Sequence, residues 1–264
     1  MNITTNCHSV FSKPDTIYAF FSSGQHSCCR MNLHSRNTPQ SCATLIDLEQ
    51  ISTGLQENKS RLAKQILSET EQNYFKRFTY LKRQREWLGG RTAAKIALLE
   101  LDPTMQPNGF QDLSILPDMH GRPIPDKTSG ISLSISHSGR FAVALAVKGA
   151  ACGVDLQRTS TKLPGLTDRF ASSRELSLLS SGEMMAEEEL TRLTMLWATK
   201  EALKKKILHD QPALFSGIHL QHIARLEQHI YRFTCSINNH PEQSVMVYSF
   251  PPYILALTEM ESHA

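Results

Sequence analysis

Apolar and polar positions follow two rhythms along this chain, one close to a helix and one close to a strand. The first clear pattern begins near Ser41, where residues 42–48 (CATLIDL) read as a strand. Ser68 with Glu71 three residues later has capping-box form and opens a short helix. A long helical stretch follows from about Arg83 to Leu101, with Trp87, Leu88, Ala94, Ile96, Ala97 and Leu98 as its apolar members, and Asp102-Pro103 ends it. The period then falls to two. Residues 112–116 form a short strand, 118–123 a turn, and Ile131, Leu133 and Ile135 alternate with serines as in a half-buried strand. A turn over 137–140 leads into residues 141–147, apolar almost throughout, as in a covered sheet. After Gly149, residues 151–156 are expected as the third strand of an antiparallel meander.

The order then repeats. A helical pattern covers 191–207, a β region covers 218–225 and Ile230–Ile237, and two apolar strands, 244–250 and Tyr253–Thr258, flank Pro251-Pro252. Ala-rich, cationic helical segments, 91–98 and 198–203, precede the strands of each half. The pattern predicts an α+β fold of two pseudo-symmetric halves, each a helix packed on an antiparallel sheet, with a site at the seam between them. The first 40 residues are rich in Ser, Asn, Thr and His and hold no sustained period. The domains expected are a poorly ordered extension over 1–40, a first half over 41–150 and a second over 151–264.

Composition narrows the possibilities. With 40% hydrophobic and 20% charged residues in 264, the chain can bury a core and is not a disordered tail protein. No run approaches the roughly 20 apolar residues of a membrane helix, and IYAFF at 17–21 is too short for a signal peptide, so no membrane partner is expected. The six cysteines show no C-x-x-C pair and no zinc-site spacing, which points to a reduced, cytoplasmic protein. A net charge of +3 is too mild for a dedicated nucleic-acid binder, so any basic footprint is local.

Four segments carry candidate chemistry, each with a plainer alternative. In Gly153-Val154-Asp155-Leu156-Gln157, Asp155 and Gln157 share a face and could ligate a hard cation, or simply end a strand in a solvated loop. In the helix over 191–207, Leu193, Leu196, Leu203 and Ile207 form the apolar stripe, and Glu201 and Lys205 follow Trp197 at successive turns along its edge. That pair could be an acid and a base in a groove, or a surface i,i+4 pair worth about 0.3–0.5 kcal/mol. Lys200 falls within the stripe, against the pattern. Ser136-His137-Ser138-Gly139 could present donors to a phosphate, or be plain turn chemistry. The stretch Lys76, Arg77, Lys82, Arg83, Arg85, Arg91 and Lys95, opposed only by Glu86, could bind an anion or nucleic acid, or be a solvated helix face.

Taken in order, a basic helix, Gly-Arg-Pro at 121–123, S-x-S-x-S-H-S-G at 132–139, G-V-D at 153–155 and W-x-x-K-E-A-x-x-K at 197–205 resemble the Sfp-type 4'-phosphopantetheinyl transferases. The resemblance covers roughly 41–258. It implies that coenzyme A lies between the halves and that its 4'-phosphopantetheine arm passes to a serine of an apo acyl or peptidyl carrier protein, releasing 3',5'-ADP. By motif position, Asp155 and Glu201 would hold Mg²⁺, and Glu201 would take the serine proton. Lys205 would neutralise the pyrophosphate and leaving group. Lys82, Arg122, Ser136 and His137 would contact coenzyme A phosphates. Many members carry a second acid two residues after the aspartate; here Gln157 stands there, as a neutral candidate ligand. A monomeric enzyme without nucleic-acid partner is expected. The alternative is a non-catalytic coenzyme A or carrier-protein binding module with a degenerate metal site.

Overall fold

The computed structural model describes residues 10–11, 28–32, 41–102, 105, 108–127, 130–208 and 215–259. By its internal contacts the chain divides into two units, Met1–Ala151 and Cys152–Ala264.

Unit one begins with β1 (Val10–Phe11), β2 (Cys28–Asn32) and β3 (Ser41–Asp47), continues with α1 (Leu48–Ile66), α2 (Glu69–Phe75) and α3 (Leu81–Leu101), and closes with the hairpin β4 (Ile115–Pro117) and β5 (Pro123–Pro125), then β6 (Ile131–Ser138) and β7 (Phe141–Lys148). Its main sheet runs β1-β2-β3-β7-β6 and is antiparallel apart from the β1–β2 pair. β3 is buried along its whole length and β7 at every residue but Lys148, because both are central strands, and α3 packs on both. Two segments departed from the sequence pattern. Cys28–Asn32, placed within the expected poorly ordered extension, is a strand beside β3; the expectation for the rest of the first 40 residues, β1 apart, lies outside the described residues. α1 was not foreseen: Asn58 interrupts it with non-helical angles (φ −159°, ψ 87°), and its side chain caps the second part by accepting from the Arg61 N–H at 2.9 Å. The capping box is present as read, with Ser68 and Glu71 bonded reciprocally.

Unit two holds β8 (Val154–Arg158), α4 (Ser173–Leu179), α5 (Glu189–Ile207) and the strands β9 (Ile218–Glu227), β10 (Ile230–Ile237), β11 (His240–Phe250) and β12 (Tyr253–Thr258). The sheet order is β8-β12-β11-β10-β9, antiparallel throughout. α5 packs on β8, β11 and β12, and its Leu193, Leu196 and Leu203 enter the core of that unit. The expected meander β6-β7-β8 is corrected here. β7 is already paired on one edge with β6 and on the other with β3, so β8 pairs with β12 instead. Each unit is thus α+β, a long helix on an antiparallel sheet. Cys42, Cys152 and Cys235 are buried thiols outside any disulfide, and burial pushes Cys152 and Cys235 up to about 12. Among the described residues, no helix is long and apolar enough to cross a membrane.

Candidate active site

The G-V-D segment is placed by a close approach of backbones. A Cβ built on Gly153 would lie 1.9 Å from the Ala202 carbonyl oxygen of α5, so only glycine lets the chain enter β8 at this depth. The Gly153 N–H donates to Thr258 Oγ1 at 2.9 Å, and its carbonyl accepts from the Thr258 N–H at 3.0 Å, which ties the same residue to β12. Two residues on, Asp155 is buried. Lys205 donates to Asp155 Oδ1 at 2.8 Å and to the Val154 carbonyl at 2.9 Å. One turn earlier on α5, Glu201 is half-buried. Burial raises its carboxyl above the ordinary range and the charge of Asp155 adds to the rise, against the pull of Lys205 and Lys204. Asp155, Glu201 and Lys205 therefore form one electrostatic cluster. Gln157 is half-exposed, and strand alternation keeps it on the Asp155 face.

Lys200, which broke the apolar stripe, is 2% exposed. Its ammonium meets Glu175 Oε1 at 2.7 Å and donates to the Phe170 carbonyl at 2.7 Å. Glu175 is the capping-box acid of α4, bonded reciprocally with Ser172, and it also accepts from the Leu220 N–H of β9 at 2.8 Å. Burial alone would push this carboxyl up. The donors from Leu220, Lys200 and Ser172 outweigh it and hold Glu175 below the usual carboxylate range.

The phosphate candidates of unit one divide. Arg122 sits at the β4–β5 hairpin tip, where Asp118 accepts from the His120 N–H, the Arg122 N–H and Arg122 Nε (2.9, 2.9 and 2.7 Å). What desolvation there is opposes ionisation of Asp118, but these bonds pull its carboxyl down to about 2. Glu86 of α3 stands between two other candidates, 3.7 Å from His137 Nδ1 and 3.9 Å from Lys82 Nζ. The turn expected over 137–140, and the presentation of Ser136 through Gly139 from one turn, are corrected. Ser136, His137 and Ser138 belong to β6, paired with Val143, Ala142 and Phe141, and Gly139 (φ +57°) with Arg140 makes the bend. Ser136 is buried and His137 half-exposed, on opposite faces of the strand, so one turn does not present both.

The seven-charge basic face is also corrected. Lys95 is fully buried, with its ammonium on Glu71 and on the Ile66 and Phe110 carbonyls at 2.8 and 2.9 Å. Arg91 is buried, donates to the Ile115 carbonyl at 2.8 Å and lies 4.6 Å from the Trp87 ring; burial lowers it to about 10. Lys82 remains exposed. The sequence reading missed Gly153, Glu175 and Lys200 as parts of this arrangement. A signal existed: the Glu of a Ser-x-x-Glu box precedes a helical lysine at a matched distance in both units, Glu71 before Lys95 and Glu175 before Lys200.

Residues 70–147 match the family model of the 4'-phosphopantetheinyl transferase N-terminal domain. A holo-[acyl-carrier-protein] synthase of Halalkalibacterium halodurans is 36% identical over 104 residues, covering 38% of this chain and 86% of that protein. One from Streptococcus agalactiae is 40% identical over 105 residues, covering 38% and 88%. Among solved structures, a holo-(acyl-carrier-protein) synthase of Bacillus anthracis in complex with CoA (3',5'-ADP) is 33% identical, with a TM-score of 0.36, over 40% of this chain and 91% of that one. The chain belongs to the 4'-phosphopantetheinyl transferase family of enzymes, of the holo-[acyl-carrier-protein] synthase kind.

Proposed function

We propose that this protein moves the 4'-phosphopantetheine arm of coenzyme A onto a serine of an apo carrier protein and releases 3',5'-ADP. The observation that carries the reading is the buried Asp155 coupled to a Glu201 of raised pKa, with Lys205 bridging toward both. In the reaction the serine Oγ bonds to the phosphorus that bears the pantetheine arm. The bond from that phosphorus to the bridging oxygen breaks, and the oxygen leaves with 3',5'-ADP. Glu201 is suited to accept the Oγ proton, because its surroundings move it toward the protonated form. Lys205 is suited to take up charge on the leaving phosphate, and in the absence of substrate that charge is spent on Asp155. Arg122, held by Asp118, and the Lys82–Glu86–His137 group of unit one are suited to the coenzyme A phosphates, and Ser136, buried on the other face of β6, is the weaker candidate.

The donor set fits Mg²⁺. Two carboxylates, Asp155 and Glu201, with the amide of Gln157, are hard oxygen donors, and Mg²⁺ sites use one or two carboxylates with substrate oxygens and water. Among the described residues no group of three or more His, Cys, Asp or Glu is gathered, which suits a site completed by the pyrophosphate. When bound, the ion would offset pyrophosphate charge. We read the protein as a monomer acting in a reducing, cytoplasmic setting, with the carrier protein as its macromolecular partner. The test is incubation of apo carrier proteins with coenzyme A and Mg²⁺, followed by mass spectrometry. A gain of about 340 Da on serine is expected. Binding of coenzyme A with no mass gain on any carrier would favour the non-catalytic module.

A further inference from the structure

α5 is fixed at both neighbours of Glu201. Lys200 inserts into the Glu175 capping box and onto the Phe170 carbonyl. The Ala202 carbonyl lies against Gly153, at a depth that leaves no room for a Cβ. Lys200 is held by its side chain and Ala202 by its backbone carbonyl, so the helix is fixed in rotation and in depth on either side of Glu201. Glu175 also takes the Leu220 N–H, so the lysine anchors α5 to α4 and β9 together. Opposite, Gly153 is bonded to β12 through Thr258. The bracket therefore joins α5 to β9 at one end of the sheet order and, through Gly153, to β12 next to the other end.

We propose that Lys200, Glu175 and Gly153 are positioning residues for the transfer reaction, setting the rotation and depth of α5 so that the Glu201 carboxylate faces Asp155. The proposal rests on the reading of Glu201 as the serine base. Unit one supplies the control. There the same anchor, Lys95 with Glu71, holds α3, and the following residue is Ile96 rather than an acid. An anchor that serves only the fold should behave alike in the two units; one that aims a catalytic group should not.

The experiment compares two charge-neutral double variants, K200M/E175Q and K95M/E71Q, by thermal melting, by kcat and KM for coenzyme A, and by calorimetric titration of Mg²⁺ with 3',5'-ADP present. Both should lose thermal stability to a similar degree. K200M/E175Q should lose kcat by roughly 10- to 100-fold, as expected for a small misplacement of a reacting group, with KM for coenzyme A within about threefold. Its Mg²⁺ binding should weaken in parallel. K95M/E71Q should keep kcat and Mg²⁺ binding within about twofold. Equal losses of kcat in both, or an unchanged kcat in K200M/E175Q, overturn the proposal. Should K200M/E175Q not fold, Gly153→Ala takes its place: reduced kcat at near-constant KM supports the bracket, and unchanged kcat overturns it. Glu175→Gln alone keeps an acceptor for Lys200 and Leu220 and should recover most of the turnover. Glu201→Gln separates the two ideas. If it turns over normally, the base assignment itself fails. If it is inactive while the anchor variants are unimpaired, only the positioning proposal fails.

Discussion

The long helices of the two units are held in the same way and used differently. In unit one, Lys95 of α3 is buried on Glu71, the capping-box acid of α2, and Glu71 also accepts the Ile115 N–H of β4. In unit two, Lys200 of α5 is buried on Glu175, the capping-box acid of α4, and Glu175 accepts the Leu220 N–H of β9. Serine, acid, lysine and strand amide recur in the same order and close the same loop. The next helical residue is Ile96 in one case and Glu201 in the other. The sheets repeat the contrast. Thr44 pairs with Ala144 in β7 and Asp155 with Ala256 in β12, both alanines in the core under the long helix. Unit one thus places a hydroxyl and a branched aliphatic side chain where unit two places two carboxylates. The same anchor thus holds the long helix in both units, and the two units differ at the residues beside it.

The largest effect should come from breaking the contrast at the carboxylates. Asp155→Ala and Glu201→Ala are each expected to lower transfer by at least about 10³-fold, and the double variant to be little worse than either single, because groups acting as a unit are not additive. The matched change in unit one, Ile96→Val, should cost about 0.5–1.5 kcal/mol of stability and leave turnover intact. Rates are read by mass spectrometry of the carrier protein. Multiplying losses in the Asp155 and Glu201 double variant would show that the two do not share a site.

The next effect should be common to the units. Lys200→Ala leaves the buried Glu175 without its cation and should cost about 3–5 kcal/mol in denaturant unfolding, and Lys95→Ala should cost somewhat less, because Glu71 keeps Arg91 Nε at 4.0 Å. A cost in only one unit would end the equivalence of the anchors. Part of this was legible beforehand. Ser68-x-x-Glu71 read directly as a cap, and the strands over 230–258 read cleanly because their alternation and apolar runs are strong. Lys200 stood out as a break in a stripe, but a sequence gives no partner for a buried charge, and Glu175 is separated from it by α5 and the turn before it. α1 hid for a different reason: Leu48, Ile51, Leu55, Leu62 and Ile66 do keep one buried face, but Gly54 and the break at Asn58 resemble a turn. The Asp155–Glu201–Lys205 cluster was reached through motif order, whereas the tight passage of Gly153 under Ala202 needs three dimensions.

A smaller effect follows from the anchor acid of unit two. The folded pKa of Glu175 lies below its ordinary value of 4.5, because its hydrogen-bond donors outweigh burial. The unfolded chain therefore binds the proton first as the solution is acidified. The stability this group contributes is complete above about pH 4.5 and is lost as pH falls through the folded value. Urea midpoints taken from about pH 6 down to about pH 3 should show an acid limb that Glu175→Gln flattens. An acid limb of the same steepness in the variant would mean that other carboxylates carry it.

The smallest effect sharpens the contrast at the strand edge. Two residues beyond Thr44, unit one carries the buried Ile46; two residues beyond Asp155, unit two carries the half-exposed Gln157. Polarity at this position thus appears only where the carboxylates are, yet without the charge that many relatives of this type place there. A neutral donor leaves a cation less compensated by protein, so Mg²⁺ should bind weakly alone and clearly once coenzyme A or 3',5'-ADP supplies phosphate oxygens. Gln157→Glu adds a charge at short range in a partly desolvated place and should tighten Mg²⁺ binding by roughly 3- to 10-fold. Turnover should change by less than about threefold, since tighter ground-state binding of the ion does not by itself lower the barrier. The matched change in unit one, Ile46→Glu, would bury a charge with no use for it and is expected only to destabilise. Calorimetric titration of Mg²⁺ into both proteins, with and without 3',5'-ADP, reads the difference. If Gln157→Glu leaves the affinity unchanged in every condition, residue 157 does not face the ion, and the cation site is confined to Asp155 and Glu201.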